Sequence, residues 1–136
     1  MLESVNWVGV GAAVIAAFIL GFVWYGPLFS RPWMRELGKT PEQIGTEGPP
    51  LAPILAAQLV ATIITATVLA IIIERFGPGV TTGLIVGLLC AAGFAATSKL
   101  GDLLFAQTST PKRYWIETGN HLVSYALMGA VYGLFG

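Results

Sequence analysis

Four long apolar stretches dominate the chain, and each is long enough to cross a lipid bilayer. They occupy residues 5–29, 51–73, 80–105 and 114–135. A transmembrane helix needs about 20 consecutive, mainly apolar residues, and a helix satisfies its own backbone hydrogen bonds inside lipid. The pattern therefore predicts an all-α, polytopic membrane protein whose single domain, residues 1–136, is an antiparallel bundle of four transmembrane helices.

The composition supports a membrane protein and excludes several classes of site. Hydrophobic residues make up 55% and charged residues 10% of the chain, against roughly 45–50% and about 25% in soluble domains. The net charge is zero and no basic block occurs, so we expect no nucleic-acid partner. One cysteine, Cys90, and one histidine, His121, allow no internal disulfide, and we expect neither a metal site nor a cofactor.

Basic residues are concentrated in two of the three connections between the stretches, and by the positive-inside rule these two face the cytoplasm. Both termini are then predicted to lie outside. The residues are Arg31, Arg35 and Lys39 in the first connection and Lys112 and Arg113 in the third, against Arg75 alone in the second. Aromatic residues are expected to mark the two membrane interfaces. They are Trp24, Tyr25, Trp33, Tyr114 and Trp115 on the cytoplasmic side and Trp7, Tyr132 and Phe135 on the other.

The first connection is the only one with room for structure of its own. Over residues 32–37 it places Trp33, Met34 and Leu37 on one helical face, which is typical of an amphipathic segment at a membrane interface. A capping-box sequence with proline at the first helical position, over residues 40–43, predicts that a second short helix begins there.

Small residues recur at every fourth position in the first and third stretches, a spacing that lets helix backbones approach closely in lipid. They are Gly9, Ala13, Ala17 and Gly21 in the first and Gly83, Gly87, Ala91 and Ala95 in the third. We expect these two helices to pack against each other, with a subunit interface of a homo-oligomer as the alternative. Val86, on a neighbouring face, is expected to meet lipid.

Polar side chains inside the apolar stretches are the candidates for a ligand-binding or proton-handling layer. Lys99 and Asp102 are one turn apart on the third helix, and Glu117 and His121 one turn apart on the fourth, so each pair can meet on its own helix. At ~1.5 Å per residue, all four lie near the cytoplasmic side. Three further candidates at similar depth are Tyr25, Gln58 and Asn120.

Two interpretations of this layer remain open. In one, Lys99 reaches the headgroups, the carboxylates lie at the interface beside Lys112 and Arg113, and His121 is a neutral, hydrogen-bonded core residue. In the other, Glu117 and His121 form a proton relay or bind a ligand, because charged groups in a membrane are costly and usually functional.

Several motifs along the chain resemble the bacterial family named domain of unknown function 1761. They are Asn6-Trp7, Trp-Tyr-Gly-Pro-Leu-Phe over 24–29 followed by Trp33-Met34, Gly93-Phe94, Trp115-Ile116, Gly-Asn-His-Leu-Val over 119–123, and Met-Gly-Ala over 128–130. The resemblance spans essentially the whole chain. It implies a small four-helix protein of the bacterial inner membrane, and it implies no activity.

Three classes of function follow, and the sequence favours the first. The first class is a scaffold or accessory subunit that self-associates or binds a larger membrane complex. It is favoured because little of the chain lies outside the apolar stretches. The second is an oligomeric transporter or channel that uses the polar layer, since four helices of one chain rarely enclose a path. The third is a lipid- or quinone-modifying enzyme with Glu117, His121 and Tyr25 as acid-base groups; without a nucleophile motif, we expect no enzyme.

Overall fold

The computed structural model describes residues 2–37, 51–77, 79–106 and 110–135, and every regular element among them is helical. This confirms the all-α class. The helices are α1 (Trp7–Val23), α2 (Ser30–Leu37), α3 (Leu51–Phe76), α4 (Val80–Cys90), α5 (Thr97–Gly101) and α6 (Pro111–Phe135). Wider π-helical turns follow α1 (Trp24–Leu28), join α4 to α5 (Ala91–Ala96) and follow α5 (Asp102–Ala106). The second surface helix predicted at residues 40–43 lies outside the described residues.

Within the described ranges, three continuous helical stretches are long and apolar enough to cross a membrane: Trp7–Leu28, Ala52–Phe76 and Val80–Phe105. The prediction of four such helices is therefore wrong for the fourth by this measure. Helix α6 has 25 residues, but Lys112, Arg113, Glu117 and the amide and imidazole side chains that follow lower its hydropathy. It is also the helix with contacts to α1, α2, α3 and α4, so much of its polar surface meets protein.

The bundle has two chemically different ends. We call the end where α1 finishes and α6 begins the basic end, because Lys99, Lys112 and Arg113 lie there. The other is called the Tyr132 end. At the latter, Asn6 caps α1 by accepting hydrogen bonds from the backbone N–H groups of Val8 (3.1 Å) and Gly9 (3.3 Å).

Helix α4 packs on α6 through glycines that bring the two backbones into contact. A Cβ atom added at Gly83 would collide with the carbonyl group of Gly129, and one added at Gly87 with the carbonyl group of Tyr125. The small residues of the third stretch therefore face the fourth helix, and the predicted pairing of the first and third helices is wrong. Val86 is buried on this helix, with 8% of its surface exposed, so its predicted lipid-facing position is also wrong.

The small residues of α1 have two kinds of surroundings, the packed core and a cavity. Gly9 and Ala13 are buried, and a Cβ at Gly9 would approach the Tyr132 ring to 2.9 Å. Ala17 and Gly21, further along the same face, line a cavity, and Ala17 also packs against the edge of the core. The small-residue pattern of α1 therefore changes from helix contact to open space toward the basic end.

Tyr132 joins three elements at its own end of the bundle. Its side chain is 1% exposed, and its hydroxyl donates to Glu74 Oε1 on α3 (2.6 Å) while accepting from the Asn6 backbone N–H (2.9 Å). The prediction that Tyr132 marks a membrane interface is wrong, whereas Trp7 and Phe135 are exposed. Apolar residues of α1 and α3, including Ala70 and Ile73 with 0% exposure, complete this core.

Candidate functional site

A cavity of about 740 Å³ lies between α1, α2, α3 and α6 on the side of the basic end. Pockets for one small molecule usually measure about 300–1,000 Å³. It forms where α3 is least covered: residues 52–61 of this helix are all exposed, and its buried positions begin at Thr62. The tight core at the Tyr132 end thus gives way to a cavity between α1 and α3.

The structure gathers the predicted polar candidates around this cavity, with one exception. Those that line it are Tyr25, Gln58, Lys99, Glu117, Asn120 and His121. Asp102 does not; its side chain is exposed, and within the described ranges it forms no ion pair with Lys99. The predicted Lys99–Asp102 pair is wrong, because Lys99 Nζ donates to Glu117 Oε1 on α6 instead.

Glu117 is the centre of the polar site. Its Oε1 accepts from Lys99 Nζ (2.9 Å), and its Oε2 accepts from Arg113 Nε (3.0 Å) and from the indole N–H of Trp33 (3.0 Å). The carboxylate is 12% exposed, less than the Lys99 and Arg113 side chains at 29% and 26%. One carboxylate therefore holds two cations and an indole in place.

Trp33 reaches Glu117 because the chain bends after α1. Gly26 has non-helical angles (φ −98°, ψ −106°) and Pro27 follows it, and proline within a helix removes a backbone donor and promotes a kink. The bend directs α2 back against α6. There the Trp33 ring lies 4.9 Å from the Tyr25 ring, centroid to centroid, and it forms one wall of the cavity.

Trp24 fixes the other side of the same bend. Its indole N–H donates to the backbone carbonyl of Ile116 (3.0 Å), and its ring lies where Gly119 has no side chain: a Cβ there would be 3.1 Å from Trp24 Cζ2. The aromatic-glycine-proline segment is thereby anchored on α6 at residues on either side of Glu117.

Lys99 is brought to the cavity by an irregular stretch of helix. The π-helical segment Ala91–Ala96 precedes it, and the Ala96 carbonyl accepts from the Tyr114 hydroxyl (3.0 Å). Such segments insert an extra residue into an α-helix and are frequent at functional sites. The irregularity thus positions the Lys99 side chain across from α6.

Asn120 and His121 line the cavity, but their side chains form no hydrogen bond with a described residue. In the described part of the chain, Asn120 Nδ2 is buried and has no hydrogen-bond acceptor. The His121 ring makes an edge contact with Tyr125 (centroids 6.0 Å apart, 89° between planes) and no hydrogen bond to a described residue. Because the Glu117 oxygens are occupied by Trp33, Lys99 and Arg113, the predicted direct Glu117–His121 pair is not formed.

The remaining walls are mainly apolar, with a polar strip on α3. Gln58 Nε2 donates to Thr62 Oγ1 (3.1 Å), which itself donates to the Gln58 carbonyl (2.7 Å). Apolar side chains from three helices complete the lining, among them Phe18, Phe22, Ile54, Leu55 and Met128. The cavity therefore combines charged residues with mainly apolar walls.

Two residues of the site had been assigned to the membrane interface by the sequence analysis. The sequence predicts Trp33 on an amphipathic surface segment, and it uses Arg113 for orientation and, in one interpretation, as a neighbour of the carboxylates at the interface. Arg113 stands four residues before Glu117, a helical spacing that favours an ion pair, so the sequence contained that signal. The role of Trp33 depends on the bend at Gly26, and no local spacing reveals it.

A family model described as protein of unknown function (DUF1761) matches residues 8–133. The chain belongs to the DUF1761 family. The match includes α1 through almost all of α6, so every wall of the cavity lies inside the DUF1761 region. No curated protein and no solved structure matches the chain. Since the family description states no activity, function must be argued from the site.

Proposed function

We propose that this DUF1761 protein binds a small amphipathic molecule within the bacterial inner membrane. The observation that carries the proposal is the cavity of about 740 Å³, which combines a charged end with apolar walls. Lys99, Glu117 and His121 are polar lining residues, and the remaining walls are mainly apolar. This combination fits the polar head and the apolar part of one amphipathic molecule.

The proposal includes a four-helix topology with the basic end in the cytoplasm. Helix α6 crosses the membrane beside three more apolar helices, and its polar first half faces the cavity and α2. We expect reporter fusions after Lys39 and after Lys112 to be cytoplasmic and a fusion at Gly136 to be external. Alkaline phosphatase and green fluorescent protein fusions measure this, and the reverse pattern would contradict the orientation.

The other classes of function receive less support from the geometry. Around Ala70, Ile73 and Tyr132 the bundle is tightly packed, which disfavours a transport path through one chain. Self-association and docking to a larger complex remain predictions, but the glycines at the α4–α6 contact are used inside the chain. An acid-base role in an enzyme would require Glu117, whose oxygens are held by three donors.

Filling the cavity should weaken binding. Gly21 lines it, and a Cβ added there meets no atom of the described residues within 4 Å, so Gly21→Leu puts a side chain into the space without a backbone clash. We expect it to weaken binding by about tenfold or more, since overpacking costs about 1–3 kcal/mol and 1.4 kcal/mol is a tenfold change. The measurement is saturable quenching of tryptophan fluorescence by bromine-labelled hexadecanoate and hexadecanol, because Trp33 lines the cavity.

Gly11→Leu is the matched control. Gly11 is on the same helix, is exposed, has no described atom within 4 Å of an added Cβ, and does not line the cavity. We expect its quenching curve to equal that of the wild type. Equal curves for all three proteins with both amphiphiles would show that the quenching reports general lipid partitioning, and the proposed function would be wrong.

A further inference from the structure

We propose that the molecule bound in the cavity has an uncharged planar ring with oxygen substituents, as in a quinone, joined to an apolar chain. This inference rests on the proposed function and specifies the ligand of that site. Three features of the lining support it: aromatic side chains on two helices, polar groups that both donate and accept hydrogen bonds, and charges that balance.

Aromatic side chains are concentrated in the lining of the cavity. Phe18, Phe22 and Tyr25 line it from α1 and the turn that follows, at a spacing that places them on one helical face. His121 and Tyr125 line it from α6, one helical turn apart. Aromatic rings favour other rings in offset-stacked or edge-to-face arrangements, with centroids about 4.5–7 Å apart. Aromatic walls on two helices therefore favour a planar ring in the ligand.

The accessible polar groups that have no partner can each donate and accept. The Tyr25 hydroxyl and the His121 imidazole line the cavity and form no hydrogen bond with a described residue. Both are accessible, because the unpartnered side-chain atoms that are closed off, among the described residues, are Thr118 Oγ1 and Asn120 Nδ2. A hydroxyl both donates and accepts, and a neutral imidazole has one donor and one acceptor. A ring oxygen matches such groups, since it accepts as a carbonyl and also donates as a hydroxyl.

The charged residues of the lining balance each other. They are Lys99 and Glu117, whose side chains form an ion pair of 2.9 Å. Arg113 also binds Glu117, but it does not line the cavity. A charged head would find no unpaired opposite charge in the lining, and moving an ion out of water without a partner is costly. The balance therefore favours an uncharged head.

The cavity is open on the outer face of the bundle along α1 and α3. Phe22, Ile54 and Leu55 line it and also keep 65%, 44% and 37% of their surface exposed. Residues that do both mark an opening, and in the proposed topology lipid surrounds this face. An apolar chain attached to the ring extends through the opening into the bilayer, while the ring lies beside Tyr25 and His121.

The test compares four probes that have chains of similar length and differ in their heads, bound to the protein in phosphatidylcholine nanodiscs and measured by native mass spectrometry. The probes are hexadecyl-naphthoquinone, hexadecylnaphthalene, hexadecanol and hexadecanoate. We expect the quinone to bind about tenfold or more tightly than hexadecanol, because it adds an aromatic contact and hydrogen bonds to its ring oxygens. Hexadecylnaphthalene, which lacks the oxygens, and hexadecanoate, which is charged, should both bind less tightly than the quinone.

Tyr25→Phe and His121→Phe remove the two hydrogen-bonding groups and keep a ring at each position. Each should weaken quinone binding about fivefold, as for the loss of one hydrogen bond, and leave hexadecylnaphthalene binding unchanged. If His121→Phe fails to fold, Tyr25→Phe still tests the inference, because it removes a hydroxyl that has no described partner. Phe22→Leu should weaken the binding of both ring probes. Phe76→Leu is its control, since Phe76 is 73% exposed and does not line the cavity.

The outcomes separate this inference from the proposed function. Quinone binding no tighter than that of hexadecanol, hexadecylnaphthalene or hexadecanoate, yet lowered by Gly21→Leu, would overturn the quinone assignment and leave the amphiphile site intact. A quinone preference that persists unchanged in Tyr25→Phe, His121→Phe and Phe22→Leu would also overturn it. Absence of saturable binding by all four probes would contradict the proposed function itself.

Discussion

Gly87→Leu is expected to destabilise the protein by about 3 kcal/mol, at the upper end of the cost of overpacking. The added side chain meets the backbone of α6 at the Tyr125 carbonyl group, and a helix backbone cannot rotate away as a side chain can. The helices would have to separate, which removes the close contact that stabilises helix pairs in lipid. Unfolding of the detergent-solubilised protein by sodium dodecyl sulfate, followed by circular dichroism, measures the loss.

Gly93→Leu is the matched control for this variant. Gly93 follows on the same continuous helical stretch, is exposed, and would have no described atom within 4 Å of a new Cβ. Its stability should remain within about 0.5 kcal/mol of the wild type, as for most surface substitutions. A loss equal to that of Gly87→Leu would mean that the glycines matter for a reason other than the α4–α6 contact.

Glu117→Gln should have the second-largest effect, a loss of about 3 kcal/mol. Removing one partner of a buried ion pair costs about 3–5 kcal/mol, and the partial exposure of Lys99 and Arg113 places the expected value at the lower limit. The neutral amide leaves two cations close together and weakens the bond from Trp33. We expect α2 to separate from α6, with a red shift of tryptophan fluorescence that is absent in a Trp33→Phe background.

Asp102→Asn tests whether any acidic residue near this end has the same effect. Asp102 is exposed and does not line the cavity, so its substitution should change neither the stability nor the fluorescence. If Glu117→Gln behaved like Asp102→Asn in both measurements, Glu117 would not be the residue that holds α2 and Lys99 in place.

The sequence predicted the polar layer well because depth along a helix follows from residue counting. Lys99, Glu117 and His121 were placed at one level from the rise of a helix alone, and all three line the cavity. Rotation about the helix axis was less predictable. Asp102 is exposed and lies outside the cavity, because Lys99 turns to Glu117 on another helix, and spacing within one helix does not reveal a partner on another.

Helix pairing was not predictable from the small-residue pattern alone. The fourfold spacing of Gly83 and Gly87 correctly indicated a close-packed face, but such spacing does not name the partner helix. Gly129, which contacts Gly83, lies in the fourth stretch. Its presence in the sequence did not distinguish packing within the chain from a subunit interface. The contact of Trp33 with Glu117 was also hidden, because it joins segments 84 residues apart through a bend.

Photocrosslinking tests the central claim, that an amphiphile occupies the cavity, most directly. The protein in phosphatidylcholine nanodiscs is irradiated with hexadecanoate that carries a diazirine in its chain, and labelled residues are mapped by mass spectrometry. The account predicts labelling of Phe18, Phe22, Leu55 and Met128, which line the cavity, with competition by unlabelled hexadecanoate and loss in Gly21→Leu. Labelling that is spread equally over exposed residues such as Leu89 (67%) and Leu134 (71%), unaffected by competitor or by Gly21→Leu, would contradict it.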